Sequence, residues 1–169
     1  VITRRGKART IPASDPRLKG MGPTVVAASF PRGGHALLVG HVGDSRAYLW
    51  RRGALRQLTE DHSLLTDYKK TRALTPEEIQ AFPHKNVIVR ALGMRDAVDV
   101  DLLEEPLEDG DVVLLCSDGL SGLVPDPVIA EAIRGNVGDL KLAAQGLVDE
   151  ANAAGGTDNV TCVLVQARL

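Results

Sequence analysis

The chain has 169 residues, 44% of them apolar, and a formal net charge of -2. That is enough for one domain with a substantial core, and the near-neutral charge argues against a dedicated nucleic-acid or membrane surface. Only 3% of the residues are aromatic, so the core must be built from Val, Leu, Ile and Ala.

Residues 1–19 form a basic segment, with Arg4, Arg5, Lys7, Arg9, Arg17 and Lys19 against the single acid Asp15. The expectation is a solvated terminus or the end of a helix. Val1 in place of Met suggests the later part of a longer protein. No secretory signal and no apolar run of spanning length is seen, and the expectation is a soluble, cytoplasmic protein.

Thr24 to Phe30, between Gly22-Pro23 and Pro31-Arg32-Gly33-Gly34, reads as a strand followed by a turn. Ala36 to Val42, Arg46 to Trp50 and Ala54 to Leu58 continue as an antiparallel meander with a turn at Arg52-Gly53. Tyr48 and Trp50 alternate along one strand and should cover part of the core or the base of the polar insert that follows. In that insert Thr75-Pro76-Glu77-Glu78 has a Thr cap, a Pro at the first position and a Glu three residues after the cap. This capping box predicts a short helix from Pro76 to about Phe82, ended by Pro83.

Val98 to Leu103 alternates and is expected as a half-exposed strand, with Asp96, Asp99 and Asp101 as solvated acids. Val112 to Cys116 is a continuous apolar run suited to a central strand. Asp126-Pro127 should start a helix closed by Gly135, with Asp126 as its cap. A second helix near Asp139 places Leu140, Ala143, Ala144, Leu147, Val148 and Ala151 on one apolar face, and Val160 to Val165 supplies the last strand. Cys116 and Cys162 lie inside strand-like runs, where a thiol behaves as a small core residue. The sum is α/β, with antiparallel sheets and helices outside.

Asp44, Asp118 and Asp158 each stand at the end of an apolar run, beside Gly, Ser or Asn. Any one of them alone reads as a turn residue. Together they could project carboxylates from one sheet edge, the oxygen-rich donor set that Mg²⁺ and Mn²⁺ prefer. A bound cation acidifies water into a nucleophile, so no Ser or Cys nucleophile is required. His41 and His62 are weaker candidates, each a lone His without a partner nearby in sequence. Arg46 could reach a phosphate, or make a local ion pair.

The blocks His41-Val42-Gly43-Asp44-Ser45-Arg46-Ala47-Tyr48, Leu58-Thr59-Glu60-Asp61-His62-Ser63-Leu64, Arg90-Ala91-Leu92-Gly93, Leu114-Leu115-Cys116-Ser117-Asp118-Gly119-Leu120 and Asp158-Asn159-Val160-Thr161 resemble, in order and approximate spacing, metal-dependent protein phosphatases of type 2C. The likeness runs over residues 20–169 and is strongest to bacterial members that reverse Ser/Thr kinases, more than to the sporulation and stress-signalling branch. It implies a sandwich of two antiparallel sheets flanked by helices on both outer faces. It also implies two catalytic Mn²⁺ or Mg²⁺ ions with Asp118 and Asp158 as ligands, and a third ion held by Asp44 with Asp118. Gly119 and Asn159 would shape the turns, and residues of about 61–85 would form a flap over the substrate; Arg46 and His62 are, on the residues alone, candidates for substrate or site support. Phosphoproteins and a cognate Ser/Thr kinase system are the implied partners.

The departures from the family pattern are equally definite. Nothing in the chain matches the early Arg-x-x-Asn-Glu-Asp-like and Asp-Gly-Met-Gly-Gly elements, the latter carrying the metal-bridging Asp. Met21-Gly22-Pro23-Thr24 corresponds to a later Met-Gly-Thr-Thr element, with Pro23 in place of its first Thr. The expectation is therefore an incomplete catalytic domain, weakly active or inactive alone, that self-associates or takes a complementing N-terminal fragment. The competing expectation is an inactive phosphatase-like regulatory or binding domain.

Overall fold

The structure is a computed structural model that describes residues 7–9, 22–33, 35–83 and 87–169. Of the basic N-terminal segment, only Lys7–Arg9 falls within it. These residues form a strand, β1, where a helix end or disorder was expected; the rest of that segment lies outside the described residues.

The expected meander is present as β2 (Val25–Ser29), β3 (Ala36–Val42), β4 (Arg46–Arg51) and β5 (Ala54–Gln57). The turn between β4 and β5 has positive φ at Arg52 (51°) and Gly53 (88°), the twist a two-residue hairpin needs. Two helices follow, α1 (Leu64–Thr71) and α2 (Pro76–Gln80). The Thr75 hydroxyl accepts from the Glu78 N–H, and the Glu78 carboxylate accepts from the Thr75 N–H, as the capping box predicts.

The run expected as one strand from Val98 divides into β6 (Ala97–Asp99) and β7 (Asp101–Pro106). β6 pairs with β1 and β7 pairs with β3, so the two halves serve different sheets. The remaining elements are β8 (Val112–Cys116), α3 (Asp118–Ser121), α4 (Asp126–Arg134), α5 (Leu140–Ala153) and β9 (Cys162–Gln166). Asp126 is the first residue of α4 and not its cap, a position held by Pro125. Its carboxylate accepts a hydrogen bond from the Tyr48 phenol instead (3.2 Å).

The main sheets are antiparallel, β2-β3-β7 and β5-β4-β8-β9. Strand alternation sends Leu37 and Val39 of β3 to meet Ala47, Leu49 and Val113 of the larger sheet, with Val26, Ala28, Leu103 and Leu115 packed around them. The opposite face of the larger sheet carries Tyr48, Trp50, Val112, Leu114 and Cys116. It is covered by Leu120, Val124, Ile129, Ile133, Leu147 and Ala151 from the helical segments. Layers of helix, sheet and sheet thus follow from two strand faces that are both apolar. Cys116 is buried in this core and its thiol is pushed up to about 12 by burial, which keeps it unreactive.

Candidate metal centre

β8 ends at Cys116, and the chain turns through Ser117 into α3, with Asp118 as the first helical residue. The Ser117 N–H donates to the Thr161 carbonyl (3.0 Å), and the Ser117 hydroxyl accepts from the Thr161 N–H (3.0 Å) while donating to the Asn159 carbonyl (3.2 Å). These bonds stitch the Asp118 turn to the segment before β9. Gly119 lies so close to that segment that a Cβ on it would come within 2.3 Å of the Asn159 carbonyl oxygen. Only glycine fits there, so the residue after Asp118 is dictated by backbone contact. On the facing turn the Asp158 carboxylate accepts from the Asn159 N–H (2.7 Å), a local bond that orients the side chain. Asp118 and Asp158 are therefore held on adjoining turns at one end of β8 and β9, and both are exposed.

Asp44 follows β3, in a turn built around Gly43 (φ 111°). A Cβ on Gly43 would overlap the Thr24 side chain at 2.3 Å, and Thr24 also hydrogen-bonds Ser45 through their hydroxyls (2.8 Å). From the other side, the Gly43 N–H donates to Nδ1 of His62 (3.0 Å) and the Gly43 carbonyl accepts from the His62 N–H (2.8 Å). Burial and then the neighbouring Asp118 charge raise the pKa of the Asp44 carboxyl. The two carboxylates thus repel each other. Among the described residues no Lys, Arg or His forms an ion pair with Asp44, Asp118 or Asp158.

Arg46 pairs with Asp61 through two bonds, Nε to Oδ1 (2.8 Å) and a terminal nitrogen to Oδ2 (2.6 Å), and also donates to the Tyr48 phenol (3.0 Å). Burial opposes its charge, but these bonds outweigh that and hold the guanidinium firmly protonated. The ion pair is to a residue across the hairpin, not to the adjacent Asp44. His62 is 5% exposed and bonds Asp101 (3.1 Å) as well as Gly43. Asp101 is exposed, as alternation leads one to expect, with its side chain 52% accessible, but it also pairs with Arg90 (2.6 Å). His41, 1% exposed, packs its ring 4.6 Å from that of His62, and neither of its nitrogens has a hydrogen-bond partner among the described residues.

Sequence reasoning did not single out Ser117, Asp61, Arg90 or Asp101 as supports. The one available signal was that Asp61, Arg90 and Ser117 sit inside the matched blocks. The insert that starts beside Asp61 is closed at its base by backbone bonds from Leu64 to Val87 (2.9 Å) and from Val89 to His62 (2.9 Å). Residues 84–86 of the insert lie outside the described residues.

Asp118 and Asp158 on adjoining turns, with Asp44 raised in pKa by burial and then by Asp118 and with no ion pair among the described residues, offer the oxygen donors a hard divalent cation takes. The three carboxylates do not, however, all lie within 4.8 Å of one another. No family model matches the sequence. The chain is 39% identical over 156 residues to the serine/threonine phosphatase Stp of Listeria welshimeri, covering 92% of this chain and 61% of that protein. It is 39% identical over 151 residues to protein phosphatase PhpP of Streptococcus pneumoniae, covering 89% of this chain and 60% of that protein. Its fold matches the crystal structure of the Mycobacterium tuberculosis serine/threonine phosphatase PstP with a TM-score of 0.83 and 38% identity, over 92% of this chain and 64% of that one. The chain belongs to the PPM family of protein phosphatases. It spans about three fifths of the length of these relatives. A PstP catalytic domain solved in complex with two manganese ions matches with a TM-score of 0.77 and 39% identity, over 89% of this chain and 60% of that one.

Proposed function

We propose that this chain is part of the catalytic domain of a metal-dependent phosphatase that hydrolyses phosphoserine and phosphothreonine in proteins. The observation that carries the reading is the stitching of the Asp118 turn to that of Asp158, which sets two exposed carboxylates, neither ion-paired among the described residues, at one end of β8 and β9. Carboxylates are kept in mutual repulsion where a cation offsets it. Asp118 and Asp158 are the residues that would hold catalytic Mn²⁺ or Mg²⁺, and Asp44 with Asp118 would hold a third ion. Bound divalent cations supply acidified water and neutralise phosphoryl charge. The chain's own residues orient the set: Gly119 and Asn159 bring the two turns together, and Arg46 fixes Asp61 at the foot of the insert.

Residues of about 61–85 are proposed as the flap that contacts phosphoprotein substrates, with a cognate Ser/Thr kinase system as the opposing activity. Their support is an exposed insert of two short helices anchored at its base beside His62. No helix among the described residues is long and apolar enough to cross a membrane, and a cytoplasmic location is part of the proposal. An apolar groove of about 480 Å³ on the outer face of β2-β3-β7, lined by Ala27, Leu38, Gly40, Leu102 and neighbours, supports contact of that face with further polypeptide, either self-association or a complementing segment.

The test is Mn²⁺-dependent phosphate release from a phosphothreonine peptide by the complete protein. Hydrolysis is expected in the wild type and its loss in Asp118→Ala. Undiminished hydrolysis by that variant would overturn the assignment.

A further inference from the structure

The cluster of His41, His62 and Asp101 brings three potential ligand atoms within 4.8 Å of one another. Its hydrogen bonds nevertheless point away from metal binding. The Gly43 backbone N–H is a fixed donor, so Nδ1 of His62 must be an acceptor and the ring proton must sit on Nε2. Nε2 faces Oδ2 of Asp101 at 3.1 Å, and Arg90 donates to Oδ1 of the same carboxylate at 2.6 Å. The Arg90 guanidinium also lies 3.1 Å from Nε2. Two donors thus converge on Asp101. His62 has no lone pair to offer a metal without breaking its bond to Gly43, and a fixed cation already occupies the open side.

The same bonds do something else. Residue 62 binds both polar groups of the Gly43 peptide backbone, its N–H through the ring and its carbonyl through the His62 N–H (2.8 Å). Thr24 presses on the opposite side of Gly43 and holds Ser45, so the turn bearing Asp44 is gripped from two elements. We infer that His62 is a positioning residue for Asp44. Asp101, itself held by Arg90, selects the Nε2–H tautomer, which leaves Nδ1 free to accept the Gly43 N–H and lock the glycine in its left-handed conformation. The clamp stands on hydrogen-bond geometry alone; its consequence for cation binding rests on the reading of Asp44 as a ligand. Partners that orient a metal ligand typically alter affinity by about 10–100-fold when removed.

The substitutions that separate positioning from packing differ in which ring nitrogen they imitate. The Asn amide oxygen of His62→Asn reaches the Nδ1 position but not Asp101, whereas His62→Gln approximates the Nε2 donor and loses the Gly43 acceptor. His62→Leu fills space and has neither. Hydrogen exchange of the Gly43 and Asp44 amides in the full chain, measured by NMR without metal, should be within about threefold of wild type in His62→Asn. In His62→Gln and His62→Leu it should be at least about tenfold faster. A packing role predicts the reverse order, since Gln and Leu preserve more volume than Asn; His62→Gln protecting these amides as well as wild type would overturn the inference.

Calorimetric Mn²⁺ titration of the same proteins, with Asp44→Asn as control, should rank affinities in the same order, with His62→Gln about tenfold weaker than His62→Asn. If Asp44→Asn leaves Mn²⁺ affinity unchanged while the exchange order holds, the ligand reading of Asp44 fails and the clamp stands. If the exchange order fails, the positioning role fails whatever the titration shows.

Discussion

The two ends of the β4-β8 pair carry acids of opposite kinds. At the Trp50-Val112 end, Asp111 is 2% exposed and accepts two bonds from Arg51 (2.9 and 2.6 Å) and one from the Glu108 N–H (2.8 Å). At the Arg46-Cys116 end, Asp44 lies within the electrostatic influence of Asp118, and the nearby arginine is taken by Asp61. Burial acts against the Asp111 charge, but Arg51 and the Glu108 N–H outweigh it and lower its pKa; burial and a like charge together raise that of Asp44. The same residue type stabilises the fold where its hydrogen bonds are complete and strains it where they are not. The strained end is where an added cation has most to offset.

Substitutions should therefore change sign between the ends. The largest effect is expected from Asp118→Asn: Mn²⁺ affinity, measured by calorimetry, should fall at least about 100-fold, with the fold intact. Next, Asp111→Asn should lower unfolding free energy by about 2 kcal/mol in urea titration, because a buried acceptor of charged hydrogen bonds is weakened. Gly119→Ala should cost about 1–3 kcal/mol in the same assay, since the new methyl must displace the Asn159 carbonyl, and should weaken Mn²⁺ binding by separating the two turns. The smallest change is expected from Asp44→Asn without metal at pH 7, a gain of up to about 1 kcal/mol from relieved repulsion.

Acid titration of stability sharpens the contrast. Asp111 has its folded pKa below the unfolded value of about 3.9, so its contribution is present above that value and is lost as pH falls through the folded pKa. Asp44 has a raised folded pKa, so its contribution is present below about pH 3.9 and is lost as pH rises through the folded value. Asp111→Asn should accordingly flatten the acid limb of the stability curve, and Asp44→Asn should raise stability on the neutral side.

Much of this architecture was legible in the sequence because the strands that matter are locally consistent. Ala36 to Val42 and Val112 to Cys116 are bounded by turn residues and were found where expected. What local pattern could not show was the break at Val100. Val98 and Val100 both bury beside Val42, while Leu103 enters the inter-sheet core, so one alternating run is shared between two sheets. Helix α1 has no fully buried residue, and its start rests on one Ser63 cap, leaving little periodicity to read. β9 begins two residues after the expected Val160 because Thr161 is engaged in the bonds to Ser117.

At the site, Asp118 and Asp158 were legible as strand-end carboxylates, and Gly119 and Asn159 as their neighbours. The parts that escaped are tertiary: Asp61 reaches Arg46 across a hairpin, and Asp101 reaches His62 between strands. Alternation read Asp101 as an exposed acid, which it is, but only the tertiary packing reveals its bonds to His62 and Arg90.

The most direct test of the contrast is the effect of saturating Mn²⁺ on the unfolding free energy of three proteins at pH 7: wild type, Asp111→Asn and Asp118→Asn. A cation bound only to the folded state at about 100 times its dissociation constant adds about 2.7 kcal/mol. The account predicts that increment in the wild type, the same increment in Asp111→Asn despite its lower baseline, and none in Asp118→Asn. No stabilisation of the wild type, or equal stabilisation of Asp118→Asn, would contradict it.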